Sequence, residues 1–65
     1  MAEVKFIKIQ AQLTGDEALQ LEQFLTRVSW ETFRAHAEND HNANVMQEAA
    51  EKLRDALAAN GYTPR

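Results

Sequence analysis

The sequence predicts a small, mostly helical α+β domain that begins with one β-strand and continues with three α-helices. Residues 5–13 alternate between apolar and polar side chains, as a half-buried strand does. Later apolar residues recur at helical spacing, and capping residues or glycine bound each of those stretches. We therefore expect a strand over about 5–13 and helices over about 15–28, 30–38 and 41–60, in a single domain spanning residues 1–65.

The predicted strand has one apolar side and one polar side. Its apolar side consists of Ile7, Ile9, Ala11 and Leu13. Its polar side consists of Lys8, Gln10 and Gln12. No later segment has a strand pattern, and a single strand cannot satisfy its own backbone hydrogen bonds. We therefore expect the strand to pair with the same strand of a second copy, which makes the protein a homodimer.

The first two predicted helices begin at capping residues. Thr14 with Glu17 forms a capping box, and Ser29 is a candidate second cap. The apolar stripe of the first helix is expected to consist of Ala18, Leu21, Leu25 and Val28. Its outer face is expected to carry Gln20, Glu22, Gln23, Thr26 and Arg27. The bulky aromatic side chains are expected in the core: Phe24, Trp30 and Phe33.

The third predicted helix follows a polar turn over residues 38–42 and ends at Gly61. Its apolar stripe is expected to consist of Met46, Ala50, Leu53 and Leu57, with Val45, Ala49 and Ala56 beside it. Tyr62 is expected to fold back as the hydrophobic contact of the helix end. The outer face holds exposed carboxylates.

Composition limits the classes of function. The net charge is −3, and residues 14–65 carry nine acidic against five basic side chains, so the helical body repels nucleic acid at long range. The chain has no cysteine and no apolar run of membrane-spanning length. We expect a cytoplasmic protein that does not enter a membrane. So short a chain has a small core, which also favours self-association.

No residue pattern indicates catalysis, a metal or a cofactor. His36, Glu38, Asp40 and His41 are close in sequence, but the two histidines are five residues apart across a predicted loop, not at the helical spacing of a zinc site. Neither of the two glycines belongs to a phosphate-binding loop. The hydroxyls of Thr14 and Ser29 are assigned to caps. We expect no enzyme activity.

A strand followed by a capped helix and a second capped helix, over residues 7–37, resembles the ribbon-helix-helix family of DNA-binding dimers. In that family the polar side of the paired strands contacts bases in the major groove. The resemblance implies a regulator that uses Lys8, Gln10 and Gln12, since these side chains can bond to base edges. The turn over residues 27–29 lacks the family's glycine, and the third helix is additional.

A second resemblance covers nearly the whole chain. It rests on Leu13-Thr14, Asp16-Glu17-Ala18, Gln23-Phe24-Leu25, Arg27-Val28, Met46, Ala49-Ala50-Glu51-Lys52, Ala58, Gly61-Tyr62 and Pro64-Arg65. These residues resemble a group of small uncharacterised proteins carried by prophages and plasmids. The resemblance implies an accessory protein of a mobile element, and it assigns no activity.

The leading expectation is therefore a non-enzymatic protein-binding accessory factor, such as an inhibitor of a host-defence complex of the anti-CRISPR kind. An acidic helical surface suits this role because it can compete for a basic nucleic-acid channel. The candidate partner-binding face consists of Glu22, Glu48, Glu51 and Asp55. The alternatives are the DNA-binding regulator and a purely structural partner subunit.

Overall fold

The computed structural model describes residues 4–62 and contains three helices in that range. Helix α1 spans Gly15–Arg27, α2 spans Trp30–Ala35 and α3 spans Asp40–Ala59. Helix α3 is the longest, and both α1 and α2 pack against it. The mostly helical prediction is confirmed, and each helix lies within the predicted segments to within a few residues at its ends.

The predicted strand is wrong. Residues 4–14 have no regular secondary structure, and no strand or sheet occurs in the described range 4–62. Alternation alone does not make a strand, because extended backbone needs a neighbouring strand to take its hydrogen bonds. Residues 4–62 supply no such neighbour, so the α+β class is corrected to a mostly α fold.

Local signals define where the helices begin. The Thr14 hydroxyl accepts a hydrogen bond from the Glu17 backbone N–H at 3.1 Å, and the Glu17 carboxylate accepts one from the Thr14 N–H at 2.8 Å. This is the predicted capping box. Asn39 caps α3, since its side-chain oxygen accepts from the Asn42 N–H at 2.8 Å. Ser29 occupies the N-cap position of α2 without a side-chain capping bond.

The end of α3 closes in the predicted way. Gly61 has φ of +92°, a conformation that favours glycine. The Tyr62 N–H donates to the Leu57 carbonyl at 2.9 Å, and the Gly61 N–H donates to the Ala58 carbonyl at 3.0 Å. Tyr62 then packs against the core, near the start of α1: a Cβ at Gly15 would lie 3.3 Å from its hydroxyl.

The core is small and lies where α1 meets α3. Its buried cluster consists of Ala18, Leu25 and Leu57, against which Leu21, Ala50 and Tyr62 pack. Ala43 is fully buried on α3. Trp30 and Phe33 are half-buried, and the Trp30 indole N–H donates to the Asn44 side chain at 2.9 Å. Phe24, expected in the core, is 57% exposed.

The inward face of α3 differs from the predicted one. The buried and half-buried positions of α3 are Asn42, Ala43, Gln47, Ala50, Arg54, Leu57 and Ala58. Met46 and Leu53, which were expected to face the core, are exposed. Alanine at 43 and 50 allows the neighbouring helices to approach closely, and the half-buried Gln47 and Arg54 can keep their polar ends in water. The helix is therefore rotated relative to the predicted apolar stripe.

Candidate functional site

Three carboxylates form an exposed row along α3. Glu48, Glu51 and Asp55 are spaced i, i+3 and i+7, which places them on one side of the helix, and all three are exposed. The ion pair found within residues 4–62 is Arg34–Asp40, at 2.6 Å. None of these three carboxylates forms an ion pair within residues 4–62. We call these three residues the acidic row.

Glu22, the fourth predicted member of the acidic face, does not belong to it. Glu22 is only 3% exposed and lies on α1, one turn after the buried Ala18 and one turn before the buried Leu25. The Thr26 hydroxyl donates a hydrogen bond to its carboxylate at 2.7 Å. A buried carboxylate that is held inside the domain cannot meet a partner, so the prediction of Glu22 at the surface is wrong.

The residues of the predicted strand are all exposed and are not sorted into two sides. The polar members are Lys8, Gln10 and Gln12, and the apolar members are Ile7, Ile9, Ala11 and Leu13. Ile7 is 84% exposed and Ile9 is 85% exposed, so the expected apolar side is in contact with solvent. Lys8 and the two glutamines therefore do not lie on a strand in the described structure.

Among residues 4–62, large apolar side chains are more often exposed than buried. Within residues 4–62 the buried large ones are Leu25 and Leu57. The exposed ones are Val4, Phe6, Ile7, Ile9, Leu13, Leu19, Phe24, Val45, Met46 and Leu53. The half-buried ones are Leu21, Val28, Trp30, Phe33 and Tyr62. Exposed apolar side chains mark a binding surface where they form a contiguous patch.

An open groove lies where α1 ends and α2 begins. It is lined by Gln20, Gln23, Phe24, Arg27, Val28 and Thr32. Phe24 and Val28 give the groove an apolar surface, and the other side chains supply amide, hydroxyl and guanidinium groups. Sequence reasoning missed this groove because Phe24 was assigned to the core. The position of Phe24 indicated exposure, because this residue lies about 120° around the helix axis from the buried Ala18.

Contacts of Arg34 hold the loop between α2 and α3. The Arg34 guanidinium binds the Asp40 carboxylate and also donates to the Ala37 carbonyl at 3.0 Å, which fixes the loop. His36 and His41 are exposed. Among residues 4–62 no group of three or more His, Cys, Asp or Glu side chains is arranged to hold a metal ion.

One carboxylate has a shifted pKa. The pKa of Glu17 lies below its ordinary value because the Thr14 backbone N–H, and then the Thr14 side chain, hydrogen-bond to the charged form. Glu17 also lies in the first turn of α1, where negative charge is favoured. This shift belongs to helix capping and not to a reactive site.

The part of the chain that the structure describes contains no helix that is both long and apolar enough to cross a membrane. A family model matches residues 1–65, and it is described as a family of unknown function, DUF7706. No curated protein and no solved structure matches the chain. The match agrees with the expected uncharacterised small protein, and it adds no support for a prophage or plasmid origin or for the ribbon-helix-helix resemblance.

Proposed function

The chain belongs to DUF7706, a family of unknown function, and we propose that it acts without catalysis, as a protein-binding accessory factor. The observation that carries this proposal is the excess of exposed over buried large apolar side chains. Phe6 is 86% exposed and Phe24 is 57% exposed. Aromatic residues dominate the energetics of protein interfaces, so exposed ones favour a binding role. Exposed apolar side chains of this kind favour a protein whose apolar surface is covered by a partner.

Charge specifies the chemistry of the partner. The net charge is −3, and the acidic row presents three carboxylates on one side of α3. Rows of like charge accelerate association with a surface of opposite charge and disfavour wrong partners. The partner surface we propose is therefore apolar with a basic border, on a protein.

A basic border of that kind is found where proteins hold nucleic acid. We propose that the accessory factor inhibits a host-defence complex by occupying such a surface in place of the nucleic acid. The origin in a mobile element is part of this proposal and rests on the resemblance of residues 13–65 to prophage and plasmid proteins. The structural support for this inhibitory role is the exposed acidic row.

The test is a pull-down from host lysate with the immobilised protein, with and without nuclease. A protein partner should be retained after nuclease treatment, and the Glu48→Lys, Glu51→Lys double variant should lose it. The matched control is Glu31→Lys with Glu38→Lys, because both of these residues are exposed and the change in net charge is the same.

If the control variant retains the protein partner and the double variant loses it, the acidic row is supported as the binding surface. Equal loss in both variants would show that net charge acts without a specific site. A partner that disappears with nuclease would contradict protein binding and favour the DNA-binding alternative. Circular dichroism of each variant checks that the helices remain intact.

A further inference from the structure

Asn60 and Gly61, at the end of α3, are the asparagine–glycine pair of this sequence. The other asparagines, Asn39, Asn42 and Asn44, precede aspartate, alanine and valine. Asparagine is thermolabile, because its side-chain amide can be attacked by the next backbone nitrogen. Glycine has no Cβ to hinder that approach. Asn60 and Gly61 are both exposed, so water reaches them.

We propose that Asn60 is a site of spontaneous modification and that the cap of α3 sets its rate. The Gly61 nitrogen attacks the Asn60 Cγ and gives up its proton, the bond from Cγ to Nδ2 breaks, and ammonia leaves. The product is a five-membered succinimide ring. Water then opens the ring at either carbonyl, which yields aspartate or isoaspartate. Water is the co-reactant, and no atom is oxidised or reduced.

Hydrogen bonds in the cap hold the reacting groups apart. The Gly61 N–H donates to the Ala58 carbonyl at 3.0 Å, and the Asn60 Nδ2 donates to the Ala56 carbonyl at 2.9 Å. The ψ of Asn60 is 13°, so the Gly61 nitrogen is turned toward the Asn60 nitrogen and away from the side chain that it attacks. The reaction therefore requires the end of α3 to open first. Terminal turns open at the lowest free energy in a fold.

Tyr62 connects this opening to the core. Its N–H donates to the Leu57 carbonyl at 2.9 Å, and the residue packs against the buried cluster of Ala18, Leu25 and Leu57. While Tyr62 is docked, the Gly61 backbone cannot swing toward the Asn60 side chain. The stability of the docked Tyr62 therefore controls how often Asn60 can react.

The products cannot rebuild the same cap. Each carries a carboxylate in place of the amide, so the hydrogen bond to the Ala56 carbonyl is lost and a negative charge lies at the negative end of the helix dipole. Isoaspartate also adds a methylene to the main chain before Gly61. This addition moves Gly61 and Tyr62 out of register with the carbonyls that they contact. Modification therefore releases Tyr62 from the core and destabilises the fold.

The first experiment compares the folded protein with the protein in urea, both incubated at physiological temperature and pH. Digestion and mass spectrometry measure the conversion of each asparagine to aspartate or isoaspartate. In urea, Asn60 should be converted faster than Asn39, Asn42 and Asn44. In the folded protein the conversion of Asn60 should be about tenfold slower or more than in urea, because two hydrogen bonds must open first.

The second experiment changes the residue that anchors the cap. Tyr62→Ala should raise the conversion rate of Asn60 in the folded protein toward the rate in urea. The matched control is Tyr62→Phe, which keeps the ring and should leave the rate nearly unchanged. Circular dichroism checks that both variants remain helical, and the comparison of folded with unfolded wild-type protein depends on neither variant.

The third experiment tests the consequence of the modification. The added negative charge allows ion exchange to separate aged protein from unmodified protein, and the aged fraction should melt at a lower temperature. Aged Asn60→Gln, which lacks the reactive pair, should keep its melting temperature.

Conversion of Asn60 in urea at the same rate as the other asparagines would overturn the assignment of the site. Equal rates in the folded and unfolded protein, or equal rates in Tyr62→Ala and Tyr62→Phe, would overturn control by the cap. An aged fraction that melts with the unmodified protein would overturn the release of Tyr62. The inference does not rest on the proposed function.

Discussion

Thr26 donates its hydroxyl hydrogen bond to the Glu22 carboxylate at 2.7 Å, across one turn of α1. This pair explains how a carboxylate that is only 3% exposed is tolerated beside Leu25 in so small a core. Buried charge is costly, and a hydrogen bond from a neighbouring hydroxyl recovers part of that cost. Glu22 is therefore not part of the exposed surface.

The first prediction concerns this hydrogen bond. Thr26→Val should lower the free energy of unfolding by about 1–3 kcal/mol, since it leaves the Glu22 carboxylate without the hydroxyl. Thr32→Val is the control, because the same change is made in α2 at an exposed hydroxyl whose contact is Ser29, at 3.3 Å. Urea denaturation should show a clear loss of unfolding free energy for Thr26→Val and none for Thr32→Val. Equal stability of the two variants would contradict the role of the Thr26–Glu22 hydrogen bond.

The second prediction concerns pH and the capping box of α1. The pKa of Glu17 is lower in the folded protein than in the unfolded chain. The charged Glu17 carboxylate therefore stabilises the fold above the pKa of the unfolded state, and this stabilisation is lost as the pH falls through the pKa of the folded state. The melting temperature should therefore fall as the pH is lowered below about 5. Glu17→Gln keeps a hydrogen-bonding side chain but does not titrate, so this part of the pH dependence should disappear.

The control for the pH experiment is Asp16→Asn. It removes one negative charge from the same first turn and leaves the Thr14–Glu17 hydrogen bonds in place. Thermal melts across the pH range should show that Asp16→Asn alters the pH dependence of the melting temperature less than Glu17→Gln does, relative to the wild-type protein. If the two variants have the same pH profile, the helix dipole and not the capping box is responsible.

The third prediction compares two neighbouring apolar residues of α1. Leu25 is 8% exposed and Phe24 is 57% exposed. Leu25→Ala should lower the free energy of unfolding by about 2–5 kcal/mol, because it opens a cavity in the core. Phe24→Ala should cost about 1 kcal/mol or less, since most of its ring is already in water. Denaturant unfolding followed by circular dichroism tests this, and a larger effect at Phe24 would place it in the core after all.

Local sequence determined the helices of this protein. Thr14 with Glu17 specifies the start of α1, Asn39 specifies the start of α3, and Gly61 ends α3, because each of these signals acts within a few residues. Hydrogen bonds of this range do not depend on the rest of the fold. Tyr62 was predicted correctly for the same reason, since its packing follows from the geometry of the helix end.

Tertiary packing alone decided which faces of those helices are buried. Helix α3 carries two apolar stripes about 100° apart, and helical periodicity cannot rank them. The protein buries the stripe with Ala43 and Ala50, since small side chains let α1 and α2 approach closely, and it leaves Leu53 outside. The burial of Glu22 follows from its position between Ala18 and Leu25 once α1 has docked on α3. Residues 5–13 lack a strand because alternation describes one chain, whereas a sheet requires a second segment to accept its hydrogen bonds.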